Sequence, residues 1–213
     1  MFRKYFSTTV REKFPLPLLA EYVGRMDLNE ALTLSTTNFL SLLEHVGPND
    51  LALATPCEGW AVRDLVAHVA RGSDMSVSLL NGASQSEASE LLMAAAPDDV
   101  LGECRRALAA QLAAMTNAVD LERIVHHTMG DISTRQLFDF RIGDLTLHAW
   151  DLARALSIPD ELPDELVEHV YDVLLPMEAF IGDIGVFGRG PSGAVEVDST
   201  TQAKLLDLTG RRP

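Results

Sequence analysis

A carboxylate and an imidazole one helical turn apart are the first residues of this 213-residue chain that promise chemistry. Asp144 and His148 stand in LFDFRIGDLTLHAWDLARAL, residues 137–156, and Asp151 follows His148 by three. At spacings of three and four, helical side chains emerge on one side, one turn above another. Such a pair can hold one metal ion if a third ligand arrives from elsewhere in the chain. His68 is the candidate for that place. It lies mid-helix in DLVAHVA, flanking an apolar stripe much as His148 does, with Asp64 four residues before it. Spacing alone leaves a second meaning open for each arrangement. Asp64 and His68 also make an ordinary surface charge pair. His68, Asp144 and His148, at the edges of their stripes, fit a half-exposed boundary as well as a crevice between helices.

The other candidates carry less. Of the six histidines, His45 and His169 read as solvated positions, and the adjacent His126 and His127 point apart in regular structure. Cys57 and Cys104 give no disulfide framework and no C-x-x-C pair, which reads as a reduced, cytoplasmic protein. Cys57, in the loop-like TPCEGW, reads as a small buried hydrophobe rather than a reactive thiol. There is no serine elbow, phosphate-binding glycine loop or H-E-x-x-H pattern. Gly188, Gly190 and Gly193 lie in a late loop with no strand before it, so they do not read as a nucleotide site.

The residues that must be positioned need a scaffold, and the pattern predicts helices. Phe138, Ile142, Leu145, Ala149, Leu152 and Leu156 recur at steps of four and three, the apolar stripe of a packed helix over 137–156. A first helix is predicted from Asp27, with Glu30 three residues later, to Gly47-Pro48. A second runs over 61–80, with Gly72 loosening its middle, and a third from Pro97-Asp98-Asp99 to about Val119. Residues 81–96 read as a loop or short irregular helix, and 120–133 as a connector with extended character. A fifth helix from Pro163 to about Ile181 is expected to kink at Pro176. Val195 and Val197 hint at a strand, and a short helix over 200–208 is closed by Gly210. The fold expected is all-α, a four-helix bundle with additional C-terminal helices and a short tail.

The totals exclude some partners. A formal charge of −14 disfavours nucleic acid and anionic membrane surfaces. No run approaches the length needed to span a bilayer. Residues 1–25 differ from the rest, with five Lys or Arg against two acids, where 26–213 hold twelve against twenty-nine. They read as a poorly ordered extension upstream of a domain that spans 26–213.

Three segments together, TPCEGWAVRDLVAHVARG, DLTLHAWDLARAL and LLDLTGRRP, resemble the metal-binding DinB-like superfamily. Within it the chain is most similar to the N-terminal domain of mycothiol-dependent maleylpyruvate isomerases and their short metal-binding relatives. That resemblance, from about Asp27 to the C-terminus, implies a four-helix bundle with a divalent metal between helices at one end. The first ligand histidine of the family maps onto His68, and its acid-x-x-x-His pair onto Asp144 and His148. The acid is Asp here where the isomerase-like pattern has Glu. The isomerases also carry a further C-terminal domain that this chain is too short to include in full, so the metal carries over better than the isomerase substrate.

Two imidazoles and a carboxylate suit Zn²⁺ and leave a position open, and Ni²⁺ or Fe²⁺ accept the same ligands. An open Zn²⁺ lowers a thiol's pKa, as an S-transferase or isomerase using mycothiol or a similar thiol requires. The expected partners are therefore that thiol and a small electrophile. The rival reading is a non-catalytic metal-binding or small-ligand-binding module. Asp151 reads either as an acceptor for a ligand histidine's N–H or as the ion-pair partner of Arg154. Trp60 and Trp150 read as bundle packing.

Overall fold

The computed structural model describes residues 26–183, 185 and 187–212, so the basic segment 1–25 lies outside the described residues. The chain divides into two compact units, one of them Leu28–Asp160, the other including the stretch from Glu161 onwards.

The Leu28–Asp160 unit is a four-helix bundle with two small additions. Its long helices are α1 (Leu28–Leu43), α2 (Val62–Leu80), α4 (Val100–Thr116) and α5 (Thr134–Leu156). Helix α2 packs against α4 and α5, and α1 packs against the same two, which closes a ring of neighbours around one core. Phe39, Leu65, Leu108, Phe138, Ile142 and Trp150 are fully buried there. Removing each such side chain from water stabilises the fold by about 1.5–3 kcal/mol. The apolar stripe predicted over 137–156 lies on α5, which begins three residues earlier than expected. Ser133 starts it, accepting from Gln136 N while Gln136 Oε1 accepts from Ser133 N.

The additions are more regular than the sequence pattern predicts. Within 81–96 a regular helix forms, α3 (Gln85–Met93), because Ser84 and Glu87 make a reciprocal cap at its first turn. Residues 124–133 form an antiparallel hairpin, β1 (Ile124–His127) with β2 (Gly130–Ser133), in which Val125 faces Ile132 and both are buried. Helix α2 runs unbroken through Gly72, which therefore does not loosen it.

In the C-terminal stretch, α6 (Asp164–Leu174) packs against α7 (Thr201–Leu208). Pro176 does not kink a longer helix. The α-helix stops at Leu174 and gives way to a 3₁₀ turn over Leu175–Met177, since the ring has no N–H and obstructs the preceding turn. The strand hinted at by Val195 and Val197 does not form. Val197 is 93% exposed, with no apolar face to bury against. Thr200 caps α7 by accepting from Ala203 N, and Asp207 binds Ser192 and Arg212 to fasten the segment before and after it. Among the described residues no helix is long and apolar enough to cross a membrane.

Candidate metal centre

The crevice between α2 and α5 holds the predicted residues, and one helix supplies most of them. Arg141, Asp144, His148 and Asp151 are spaced three, four and three along α5. They form a polar stripe beside the apolar one, so the helix that builds the core also presents a line of charge to α2. His68 meets that line from α2. Its Nε2 lies 3.1 Å from Asp144 Oδ1, and His148 Nε2 lies 3.4 Å from the same oxygen. One side-chain nitrogen or oxygen able to ligate a metal from each of His68, Asp144 and His148 lies within 4.8 Å of the other two. Side-chain exposure is 26% for His68, 23% for Asp144 and 10% for His148, so solvent reaches one side of the group. Asp64 does not pair with His68 here. It accepts from Ala61 N and closes the first turn of α2.

Asp151 is fully buried and accepts from His148 Nδ1 at 2.9 Å. With the proton on Nδ1 so engaged, the Nε2 side of His148 is the one turned to Asp144 and His68. Arg154 turns elsewhere, pairing with Asp160 at 3.3 Å and lying over the Trp150 ring. Asp151 also accepts from Cys57 Sγ at 3.3 Å, and that sulfur stands 4.0 Å from His148 Nδ1. Cys57 is thus half-buried beside the polar stripe rather than a core hydrophobe, whereas burial pushes the Cys104 thiol up to about 12.

The loop before α2 brings Cys57 there. Trp60 N donates to Cys57 O, and Gly59, at φ +78°, takes the left-handed third position of that turn. Thr55 ties the loop shut, its N–H and Oγ1 both donating to Trp60 O. The same turn lays Trp60 against the site, its ring centroid 4.9 Å from His68 and 5.8 Å from His148. Trp150, by contrast, is core packing.

Charge is held by charge in this crevice. Burial pushes the Asp144 carboxyl up, but Arg141 and the two histidines outweigh it and hold Asp144 well below the usual carboxylate range. Burial likewise lowers His148, but Asp144, Asp151 and Cys57 outweigh it and hold the imidazole well above its ordinary value. For His68 burial wins over Asp144, and its pKa falls.

Sequence reasoning missed three residues at this site: Arg141, Cys57 and Trp60. Arg141 had a readable signal, because it extends the Asp144, His148, Asp151 stripe by three residues in the N-terminal direction. The other two depend on a turn that spacing does not reveal. Of the remaining histidines, His45 and His126 are exposed. His127 and His169 are buried, the latter against expectation: it faces inward on α6 beside Val170 and Val173.

Residues 32–153, which take in most of the four bundle helices and every residue of this crevice, match the family described as mycothiol maleylpyruvate isomerase N-terminal domain. The chain belongs to that family. Membership of the mycothiol maleylpyruvate isomerase N-terminal domain family agrees with the solved structures it resembles. A crystal structure of the mycothiol-dependent maleylpyruvate isomerase superimposes with a TM-score of 0.55 at 19% identity, covering 73% of this chain and 70% of that one. A histidine-to-alanine mutant of the isomerase gives the same TM-score at 18% identity. At those identities the likeness is one of fold. Two uncharacterised Mycobacterium tuberculosis proteins, from different strains, are each 27% identical over 128 residues, 60% of this chain. The chain spans 66% of the length of these relatives.

Proposed function

We propose that the protein binds a divalent metal ion through His68, Asp144 and His148 and acts with a low-molecular-weight thiol, of the mycothiol type, on a small electrophile. The observation that carries this reading is the arrival of His68, from a different helix and 76 residues away in sequence, at the same carboxylate oxygen that faces His148. Two imidazole nitrogens and a carboxylate suit Zn²⁺, with Ni²⁺ and Fe²⁺ as chemically acceptable substitutes.

The chain's own residues fit that assignment. Asp151 fixes the His148 tautomer so that Nε2 is the ligating nitrogen, as buried carboxylates do for ligand histidines in general. Trp60 stacks on His148 and packs at a tilt against His68, while the partial exposure of His68 and Asp144 leaves an approach for a small molecule. A bound ion of the Zn²⁺ class would supply one thing the protein lacks, a lowered thiol pKa that makes the cofactor a thiolate at neutral pH. Family membership supports the thiol; its identity and that of the electrophile belong to this proposal.

The test is metal content of protein purified without added metal, in the parent and in His148→Ala. Roughly one equivalent in the parent, lost in the variant, is the expected result. Folded parent that takes up none of Zn²⁺, Ni²⁺ or Fe²⁺ would falsify the metal site. Thiol transfer to an electrophile in the presence of Zn²⁺, abolished in His148→Ala, then separates an enzyme from a binding module.

A further inference from the structure

We infer that Arg141, seated in the space left by Gly72, is a positioning residue: it commits Asp144 Oδ2 to the bundle interior and reserves Oδ1 for an ion shared with His68 and His148. The inference rests on the metal reading above and goes beyond it, because it concerns what makes an aspartate serve at this position.

Arg141 is only 4% exposed, and its guanidinium is held from three helices. On α5 itself, Nη1 donates to Asp144 Oδ2 at 2.8 Å. On α4, Gln111 Oε1 accepts from Nε at 2.6 Å. On α2, Nη2 reaches Val69 O at 3.4 Å and Ser73 Oγ at 3.3 Å. A planar fork with five donors can make these contacts at once, and an ammonium cannot. The two oxygens of Asp144 are thereby divided. Oδ2 faces Arg141, and Oδ1 faces His68 at 3.1 Å and His148 at 3.4 Å.

Gly72 is what admits the guanidinium. A Cβ there would stand 2.3 Å from Arg141 Nη1 and 3.0 Å from Cζ. Glycine is the poorest non-proline residue for a helix interior, yet Gly72 sits inside α2, at an ordinary helical position with no turn to require it. The close approach of Arg141 accounts for it. Gly72 also follows His68 by one turn on the same helix, so one face of α2 both supplies a site histidine and receives the group that orients the shared carboxylate.

Three variants of the full chain test this: Gly72→Ala, Arg141→Met and Arg141→Lys. Gly72→Ala is the most telling, because it displaces the guanidinium while keeping its charge and every hydrogen-bonding partner. The probes are Zn²⁺ affinity, by competition with a chromophoric chelator, and the visible spectrum of Co²⁺-loaded protein, which reports coordination. Thermal unfolding controls for the fold. Gly72→Ala and Arg141→Met should each weaken Zn²⁺ binding 10- to 100-fold, roughly the effect of losing a group that orients a ligand, and should alter the Co²⁺ band. Arg141→Lys should restore little of either.

Unchanged or tighter Zn²⁺ binding in Gly72→Ala, with parent-like Co²⁺ absorption, overturns the inference and leaves Arg141 as a structural counter-charge. Should Arg141→Met fail to fold, Gly72→Ala alone decides, since alanine favours the helix. Parent protein that binds neither ion overturns the metal reading, and this inference with it. Parent binding with insensitive variants overturns this inference alone.

Discussion

Two parts of the same bundle bury titratable groups and treat them in opposite ways. In the α2–α5 crevice, Asp144 and His148 are driven toward their charged forms, because Arg141, Asp151 and each other outweigh the cost of burial. At the hairpin end of α5, His127 and Asp139 are driven toward their neutral forms. Burial, with a smaller contribution from the charge of Arg141, lowers His127 to about 4. Burial, only partly opposed by Arg135, raises Asp139 to about 7. Both of these residues are less than a tenth exposed, whereas the Asp144 side chain is 23% exposed and that of His148 10%. Water therefore reaches the crevice more readily, and the company differs as well. Buried groups keep charge only where opposite charges stand beside them, and the metal ion proposed above would enter the crevice by replacing the proton on His148.

The sharpest way to break this contrast is to remove the neutral region's dependence on pH. Asp139 titrates near 7 folded against an ordinary 3.8, so the folded state binds the extra proton. Its contribution is complete below the ordinary value and lost as pH rises through 7, by as much as about 4 kcal/mol. Asp139→Asn should therefore be more stable than the parent at pH 8 and equal to it at pH 4, by urea denaturation. His127 has the opposite sign. Its folded pKa of about 4 lies below the ordinary 6.5, so stability is full above 6.5 and is lost as pH falls towards 4. The loss is up to about 3 kcal/mol. In the window where both titrate the slopes oppose, and His127→Asn should expose the falling slope of Asp139. A parent profile unchanged by either substitution would mean that water reaches both groups.

The same contrast shows what was legible in the sequence. Asp144 and His148 could be paired because one helix carries both, and a spacing of four needs no tertiary knowledge. His68 could not be joined to them by spacing, since the link is the packing of α2 on α5; the resemblance of TPCEGWAVRDLVAHVARG to a known family pointed to it. The polar stripe extends back to Arg141 in the sequence, but the stronger apolar stripe beside it masks that residue. Gly72 looked like a weak point in α2 because its partner lies 69 residues away on α5. Ser84-x-x-Glu87 and Ser133-x-x-Gln136 are capping signals that the small, polar residues around them obscure. Val195 and Val197 suggested a strand where nothing pairs with them, while the real hairpin is four residues a side.

Within the charged region, Asp151→Asn should have the next largest effect. The amide keeps the size and one acceptor but loses the charge that raises the basicity of His148. Zn²⁺ affinity should fall roughly 10- to 100-fold. Alkaline pH is the condition to use, where proton competition for His148 is least. Unchanged affinity would reduce Asp151 to a packing group.

The smallest effect is expected from Cys57→Ser, and its smallness is informative. Two possible ligand groups share His148: His68 with Asp144, and Cys57 with Asp151. They lie against different ring nitrogens, Nε2 facing Asp144 and Nδ1 facing Asp151. An ion on the Cys57 side would have to displace the Nδ1 proton from a fully buried carboxylate 2.9 Å away, whereas the His68 side is partly open to solvent. A serine hydroxyl can donate to Asp151 as the thiol does, so Zn²⁺ affinity should change by less than about 10-fold, and Co²⁺-loaded parent should lack a sulfur-to-metal charge-transfer band. His68→Ala, in contrast, should lose most of the binding. If serine at position 57 abolished binding and alanine at position 68 did not, the ion would belong with the turn that carries Cys57, and Asp144 would serve only as the counter-charge of Arg141 and the two histidines.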